Sequence, residues 1–349
     1  MNRLNQIFLG FAVFIVVWSC TSPENSGDEN LTVVFYNVEN LFDTEDDPRK
    51  NDDEFTPQSE KKWDKTRYNK KLEDIAKVIA GINKNDLPEI VGLCEVENKK
   101  VLNDLVKTGL LANGNYKVVH QESRDHRGID CALIYRPDEF TVSDYYTVPV
   151  HFEDDPGYTT RDILYVKGQT GNQEEFHIFV NHWPSRSGGL AQTEPKRLKA
   201  AVILKAKLDL VMAAEPNAHI IVMGDLNDEP DNKSLLEIIE AQPPSASGAK
   251  LINLMYPDFE KGRGSYNFRG NWDMLDNLIV SSGLLDDEGF RVVNDKGFIY
   301  QKPWMEYRNS DGEVSPNRTY GGPNYYGGVS DHFPVCFTLK RDSENHNFY

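Results

Sequence analysis

The chain has 349 residues, 39% of them hydrophobic and 27% charged, with a formal net charge of −17. That length and balance describe a soluble globular protein with ample material for a buried core, and they exclude a chain that is disordered throughout. The negative charge argues against a protein that coats polyanions, since phosphate backbones are gripped by clustered Lys and Arg, but it leaves room for a hydrolase whose own metal ions neutralise the phosphate.

Residues 1–20 read as an address. Arg3 precedes an apolar run, Ile7 to Trp18, that is too short to span a bilayer comfortably, and Val17-Trp18-Ser19-Cys20 closes it. This pattern resembles a bacterial lipoprotein signal peptide, which implies cleavage before Cys20, lipidation of its thiol, and export to the cell envelope on the periplasmic face or the cell surface. Trp18 is bulky for such a box, and an ordinary secretory signal or an uncleaved anchor are the alternatives. Residues 21–30 are polar and suit a flexible tether, the folded domain is expected over 31–340, and 341–349 form a polar tail. Cys94, Cys131 and Cys336 lie in apolar runs without zinc-ligand spacing, so buried free thiols are expected.

Leu31 to Tyr36 is β-branched and aromatic, which predicts a first strand delivering Asn37-Val38-Glu39-Asn40. Residues 43–61 pack acids, Pro48 and Pro57 into a long loop. Leu72, Ile75, Ala76, Ile79 and Ile82 recur at helical spacing within Tyr68 to Ile82, so that helix should lie on a sheet. Glu89 to Cys94 is a short apolar strand ending at Glu95, and a second helix follows over Lys99 to Lys107. Strands are expected at Tyr116 to Val119, Cys131 to Tyr135 and Phe140 to Val148. Asp162 to Lys167 and Phe176 to Val180 pair across Thr170-Gly171-Asn172, the second delivering Asn181-His182-Trp183-Pro184. Glu194 to Ala213 is the longest helical pattern, with Leu198, Ala201, Val202, Leu204, Leu208 and Val211 on one side.

His219 to Met223 delivers Gly224-Asp225-Leu226-Asn227, and a helix begins over Ser234 to Ile239. Leu275 to Val280 carries Asp276 and Asn277, and Phe333 to Leu339 closes the domain after Ser330-Asp331-His332. Phe298 to Arg318 is aromatic and aperiodic and reads as a loop over a site. No internal repeat or linker is visible, so one domain is expected.

Polar residues able to hold metal or phosphate thus recur beside strands: Asn37, Glu39, Glu95, His182, Asp225, Asn227, Asp331 and His332. Each alone has a structural explanation. Glu95 can start a helix, Asn37 and Asp225-Leu226-Asn227 can make turns, and His182 can be a bonded core side chain. Their repetition points to a site. Hydrolysis of an anionic phosphodiester needs a cation on the phosphoryl oxygens, an activated water and support for the leaving oxygen. Mg²⁺ asks for one or two carboxylates, and a donor set of hard oxygens favours Mg²⁺ or Mn²⁺ over Zn²⁺.

The motifs Asn37-Val38-Glu39, Pro88 to Val96, Asn181-His182-Trp183-Pro184, Gly224-Asp225-Leu226-Asn227, Leu275-Asp276-Asn277 and Ser330 to Val335 resemble, in order, those of the endonuclease/exonuclease/phosphatase superfamily. The resemblance spans about residues 31–340. It implies the deoxyribonuclease-I-like fold, a four-layer α/β sandwich of two mixed β-sheets face to face flanked by helices, and metal-dependent phosphoester hydrolysis. By motif position it implies Glu95 as principal Mg²⁺ ligand, Asn37 beside it, and Asp331 completing the metal region. Glu39 stands where some relatives have a metal-side Asp, and its reach is open. His182 would contact the phosphate, and Asp225 and Asn227 would orient the water or a second metal. His332 would be general base or charged partner, steered by Asp276. Cys94 stands where many members carry Gln.

Arg161, Arg186 and Arg318 are candidate substrate-binding residues because their loops adjoin the motif strands. The leading expectation is an exported nuclease, an endonuclease acting on DNA or RNA, tethered to the membrane through a lipidated Cys20 and monomeric. A phospholipid, sphingomyelin or inositol-phosphate phosphohydrolase is the alternative, and a non-catalytic binding lipoprotein is a third reading.

Overall fold

Along the strand Glu29–Leu41, Leu31, Val33 and Phe35 turn to one face and Val34, Tyr36 and Val38 to the other. Both faces are apolar, so the strand must be covered on both sides, and this decides the layering. The computed structural model describes residues 29–286 and 288–341. The expected signal peptide with Cys20, nearly all of the tether and the tail beyond residue 341 lie outside the described residues.

Two seven-stranded mixed sheets stack face to face. In the first, Glu29–Leu41 lies parallel to Ile90–Val96 and antiparallel to Val335–Arg341. Asp130–Tyr135 and Lys117–His120 extend one side, and Phe290–Val292 and Phe298–Ile299 pair with Val335–Arg341 on the other. In the second, the order is Phe140–Val148, Ile163–Thr170, Glu175–His182, His219–Asp225, Asp276–Ser281, Leu251–Asn253 and Ala241–Gln242. Its central pair, Glu175–His182 with His219–Asp225, is again parallel.

Between the sheets, Leu31, Val33 and Phe35 meet Val166, Ile178, Val180, Ile221 and Met223. A side chain of this size, fully buried, contributes about 1.5–3 kcal/mol. Gly92 is required here because a Cβ would collide with the Met223 sulfur and approach Val180 Cγ1 at 3.4 Å. Cys94, Cys131 and Cys336 are buried free thiols.

The outer layers follow from helical periodicity. Lys65–Ile82, capped by Asp64 accepting the Arg67 amide at 2.9 Å, lays Leu72, Ile75, Ala76 and Ile79 against the outer face of the first sheet. Leu190–Ala214 lays Ala200, Ala201, Leu204 and Leu208 against the second. This helix starts four residues before the expected Glu194, and Pro195 lies inside it. Arg197 and Thr193 donate to the Leu190 and Gly189 carbonyls and so hold the first turn, while Pro195, which has no amide proton, withholds the usual i−4 bond from Ala191. Val202, expected on the buried side, is 50% exposed, and Ala200 takes its place.

Other differences are local. The segment Phe298 to Arg318 contains short strands, Glu306–Arg308 with Val314–Pro316, where a loop was expected. Ser234–Ile239 is one π-helical turn. Leu251–Asn253 and Phe290–Val292 are additional strands, each too short to show a period.

Candidate active site

The two central parallel pairs end at the same edge of the sandwich, and their antiparallel neighbours begin there. Hence Asn37, Glu95, His182 and Asp225 come from strand ends, whereas Asp276 and His332 come from the starts of returning strands. The chain turns sharply at this edge. Glu39, Asn40, Glu95 and Asn227 all have positive φ, between 50° and 61°, and register slips fall between Asn37 and Leu41 and between Cys94 and Val96. Left-handed conformations cost non-glycine residues strain, and such bulges re-aim the side chains they carry.

At the centre, His332 Nδ1 lies 2.7 Å from Asp276 Oδ2. Ser265 donates to the same Asp276 oxygen, and Ser330 Oγ accepts the His332 amide at 3.1 Å. The other imidazole nitrogen, Nε2, faces Asp225 Oδ2 at 3.8 Å and Asp331 Oδ1 at 4.0 Å. Burial alone would favour the neutral ring. The charges of Asp276, Asp225 and Asp331 and the Asp276 hydrogen bond outweigh it, so the His332 pKa stands well above its usual value. Tyr266 lies over the ring at 4.9 Å between centroids, and a β-bridge from Tyr266 clasps His332 from the hairpin Tyr266–Phe268 with Asn271–Asp273.

Asp225 joins the halves of the site. One oxygen accepts Asn37 Nδ2 at 3.0 Å, and the other accepts the Asn227 amide at 3.0 Å. Burial pushes its carboxyl up to about 7, with His332 opposing and Asp276 adding to the rise. His182 Nε2 sits 3.6 Å from Asp225 and 3.8 Å from Glu95. Burial, then Arg161 and Arg127, hold its pKa well below the usual range, so this imidazole is neutral. Its Nδ1 is buried without a partner.

Glu95 Oε2 accepts the Asn40 amide at 2.9 Å. The first strand's bulge therefore orients this carboxylate, and Cys94, buried in the inter-sheet core, takes no part in that bond. Asn227 Nδ2 donates to the Trp183 carbonyl at 3.0 Å, fixing the turn that follows His182.

Several expected positions have a different surrounding. Both Glu39 oxygens accept backbone amides, Thr319 at 2.7 Å and Tyr320 at 3.2 Å. Its carboxyl, raised by burial and then Asp331 to about 7, anchors the segment that carries Arg318. Lys71, also buried, donates to Thr319 Oγ1 and the Val329 carbonyl beside it.

Arg161, expected to bind substrate, is 5% exposed and donates to the His182 and Trp183 carbonyls, with Asp125 at 3.4 Å. It holds the His182 turn from behind. Arg186 bonds the Asn227 carbonyl at 2.7 Å, Asp273 at 3.3 Å and Asn232 at 3.2 Å, and so knits three loops. Only Arg318 of the three keeps an open face: its side chain is 40% exposed and pairs with Asp331 at 3.3 Å. Arg127 was not singled out by sequence, yet its partly exposed guanidinium lies close enough to act on His182. The loop before the strand Asp130–Tyr135 places it there, and an Arg-Gly pair ahead of a strand was the available signal.

The donor set suits a divalent cation. Asp225 and Asp276 each place a carboxylate oxygen within 4.8 Å of the other, Asp276 Oδ1 is buried without a partner, and Glu95 adds a third carboxylate at the same edge, 3.8 Å from His182 Nε2. Hard oxygens dominate, and among the described residues no thiol joins this group, a combination that fits Mg²⁺ or Mn²⁺.

Two face-to-face mixed sheets bearing such an edge define the deoxyribonuclease-I-like class of α/β sandwich. Within it, the chain belongs to the Endonuclease/Exonuclease/phosphatase family, whose model matches residues 32–341; this superfamily comprises metal-dependent phosphoesterases. Among solved structures, it is similar to an endonuclease/exonuclease/phosphatase family protein of Bacteroides thetaiotaomicron, with 17% identity, a TM-score of 0.56, and coverage of 93% of this chain and 99% of that one. A mannosyl-6-phosphatase of the same organism gives 17%, 0.55, 88% and 99%. TDP2 of D. rerio, solved with a single-strand DNA product, gives 12%, 0.56, 89% and 99%. At these identities the likeness concerns the fold. No curated protein matches the chain.

Proposed function

We propose that the protein is an exported, divalent-metal-dependent phosphodiesterase that cleaves DNA or RNA by attack of water. The observation that carries this reading is the pairing, at one edge, of a carboxylate-held imidazole, His332 on Asp276 at 2.7 Å, with the Glu95 carboxylate and the buried Asp225. Glu95 with Asn37 would hold Mg²⁺ or Mn²⁺, which would draw charge from the phosphoryl oxygens and the leaving oxygen.

The residues divide the remaining work. The Asp225 carboxyl, near 7, takes the proton of the attacking water as the new P–O bond forms and the bond to the leaving oxygen breaks. His332, kept as imidazolium by Asp276, offers Nε2 to a phosphoryl oxygen, and neutral His182 offers its own Nε2 across the site. Asn227 keeps Asp225 aimed through its amide. Arg318 and Arg127 flank the edge as charges for flanking phosphates.

A second reading has two supports. The net charge of −17 supplies no basic groove, and a mannosyl-6-phosphatase is among the similar structures, so a small phosphate ester such as an inositol phosphate or a lipid headgroup is the alternative substrate. The test is a substrate panel with protein lacking residues 1–20. Plasmid DNA and bis-p-nitrophenyl phosphate are expected to be cleaved with Mg²⁺ or Mn²⁺, with activity lost in EDTA and in His332→Ala. Turnover of sugar, inositol or lipid phosphates but not DNA would put the second reading first.

A further inference from the structure

Residues 43–54 form a loop after the first strand and contain seven acidic and two basic residues. Most of the acids are answered. Asp43 and Glu45 reach Lys100 at 2.9 and 3.3 Å, Asp47 pairs with Arg49 at 2.8 Å, and Glu54 pairs with Lys61 at 2.9 Å. Lys50, the remaining base, donates to the Ser123 and Asp125 carbonyls at 3.2 Å each. Asp46, Asp52 and Asp53 have no basic partner among the described residues, yet each places one carboxylate oxygen within 4.8 Å of the others.

Asp52 separates this group from an ordinary acidic surface. It is 2% exposed; one oxygen accepts the Asp47 amide at 3.2 Å, and the other, Oδ1, is shielded from solvent and meets no donor. A buried carboxylate oxygen without a donor, beside two more anions, is unfavourable unless a cation completes it. From this we propose that the loop holds a structural calcium ion on Asp46, Asp52 and Asp53, apart from the catalytic edge.

Calcium accepts six to eight oxygens in irregular geometry, so loop carbonyls and water can fill the remaining positions; Mg²⁺ demands a stricter octahedron. No thiol or imidazole belongs to the group, which disfavours zinc. The ion would brace more than its own loop. The Asn51 amide donates to the His126 carbonyl at 2.8 Å and Phe55 stacks on Phe42 at 4.1 Å, so residues 43–55 support both the Arg127 loop and the end of the first strand.

The test is calorimetric titration of Ca²⁺ into the Glu95→Gln protein, which lacks the carboxylate assigned to the catalytic cation, with thermal midpoints recorded in parallel. Wild-type protein in saturating Mg²⁺ is a second background. One saturable Ca²⁺ site that raises the midpoint is expected. Asp46→Asn and Asp53→Asn, at exposed positions, should each weaken Ca²⁺ at least tenfold and abolish the thermal response. Their calcium-free midpoints should equal or exceed the parent's, because a repelling charge is gone; a purely structural role would lower that midpoint and leave the calcium response intact. Absence of Ca²⁺ heat and thermal shift in both backgrounds, or an unchanged response in both variants, would overturn the site and leave the phosphodiesterase reading untouched.

Discussion

His332 and Asp276 form the pair on which the chemistry turns, and its protonation is open to measurement. Because the Asp276 carboxylate sustains the imidazolium, Asp276→Asn lowers the pH at which that charge is lost. The pH–rate profile on bis-p-nitrophenyl phosphate should therefore show its alkaline limb shifted to lower pH in Asp276→Asn, with kcat/KM down roughly 10²–10⁴-fold at neutral pH. An unshifted limb would remove His332 from the role of charged partner. At this scale the sequence was informative wherever spacing encodes chemistry: Glu95, His182, Asp225, Asp276 and His332 all reach one edge. It was uninformative for Arg161, because only the tertiary fold decides whether a guanidinium faces solvent or the carbonyls of a neighbouring turn. Glu39 is similar, since the Thr319 and Tyr320 amides that occupy it lie 280 residues or more away in sequence.

Among the elements, the strands were legible from β-branched runs and the helices from their period, while the turns that aim the site were not. Nothing in Cys94-Glu95-Val96 announces a bulge; it arises because Ile90–Val96 must keep register with two neighbours and still release Glu95 from the pleat. The entry to this strand gives a stability test. Glu89, 4% exposed, accepts the Thr32 amide and faces Arg136 at 3.3 Å, and burial pushes its carboxyl up to about 7. A raised folded-state value means that the fold binds this proton where the unfolded chain has released it. The stabilisation is present below the usual value near 4.5 and is lost as pH rises through 7. Glu89→Gln should remove that component. Relative to wild type, it should gain about 1–3 kcal/mol between pH 5 and pH 8 in urea unfolding, and a constant difference across that range would contradict the assignment.

For the molecule as a whole, charge separates this protein from one that grips a duplex. If Arg127 and Arg318 are the two cations that meet flanking phosphates, binding of a DNA oligonucleotide to the Glu95→Gln protein should weaken with salt along a log–log slope of roughly −2. A slope of −5 or steeper would require basic contacts elsewhere on the surface. The layered architecture was legible through the resemblance of the ordered motifs to the superfamily, and the structure supplies its physical reason, since apolar residues on both faces of Leu31 to Tyr36 demand cover on both sides. Short strands such as Leu251–Asn253 were not visible, since they owe their state to neighbours already in place.

Three polar contacts at the catalytic edge run from one sheet to the other: Asn37 to Asp225, Glu95 to His182, and His332 to Asp276. The protein thus has a seam, and its reactive groups are stitches across it. Below them the halves meet through interdigitated aliphatic side chains, with Gly92 admitting Met223 where no larger residue fits. An interdigitated joint resists sliding as well as separation, so its fit fixes the register of one half on the other. Because the three stitches share that one joint, a misfit beneath the site would disturb all of them together while leaving the backbone ladders of both sheets intact.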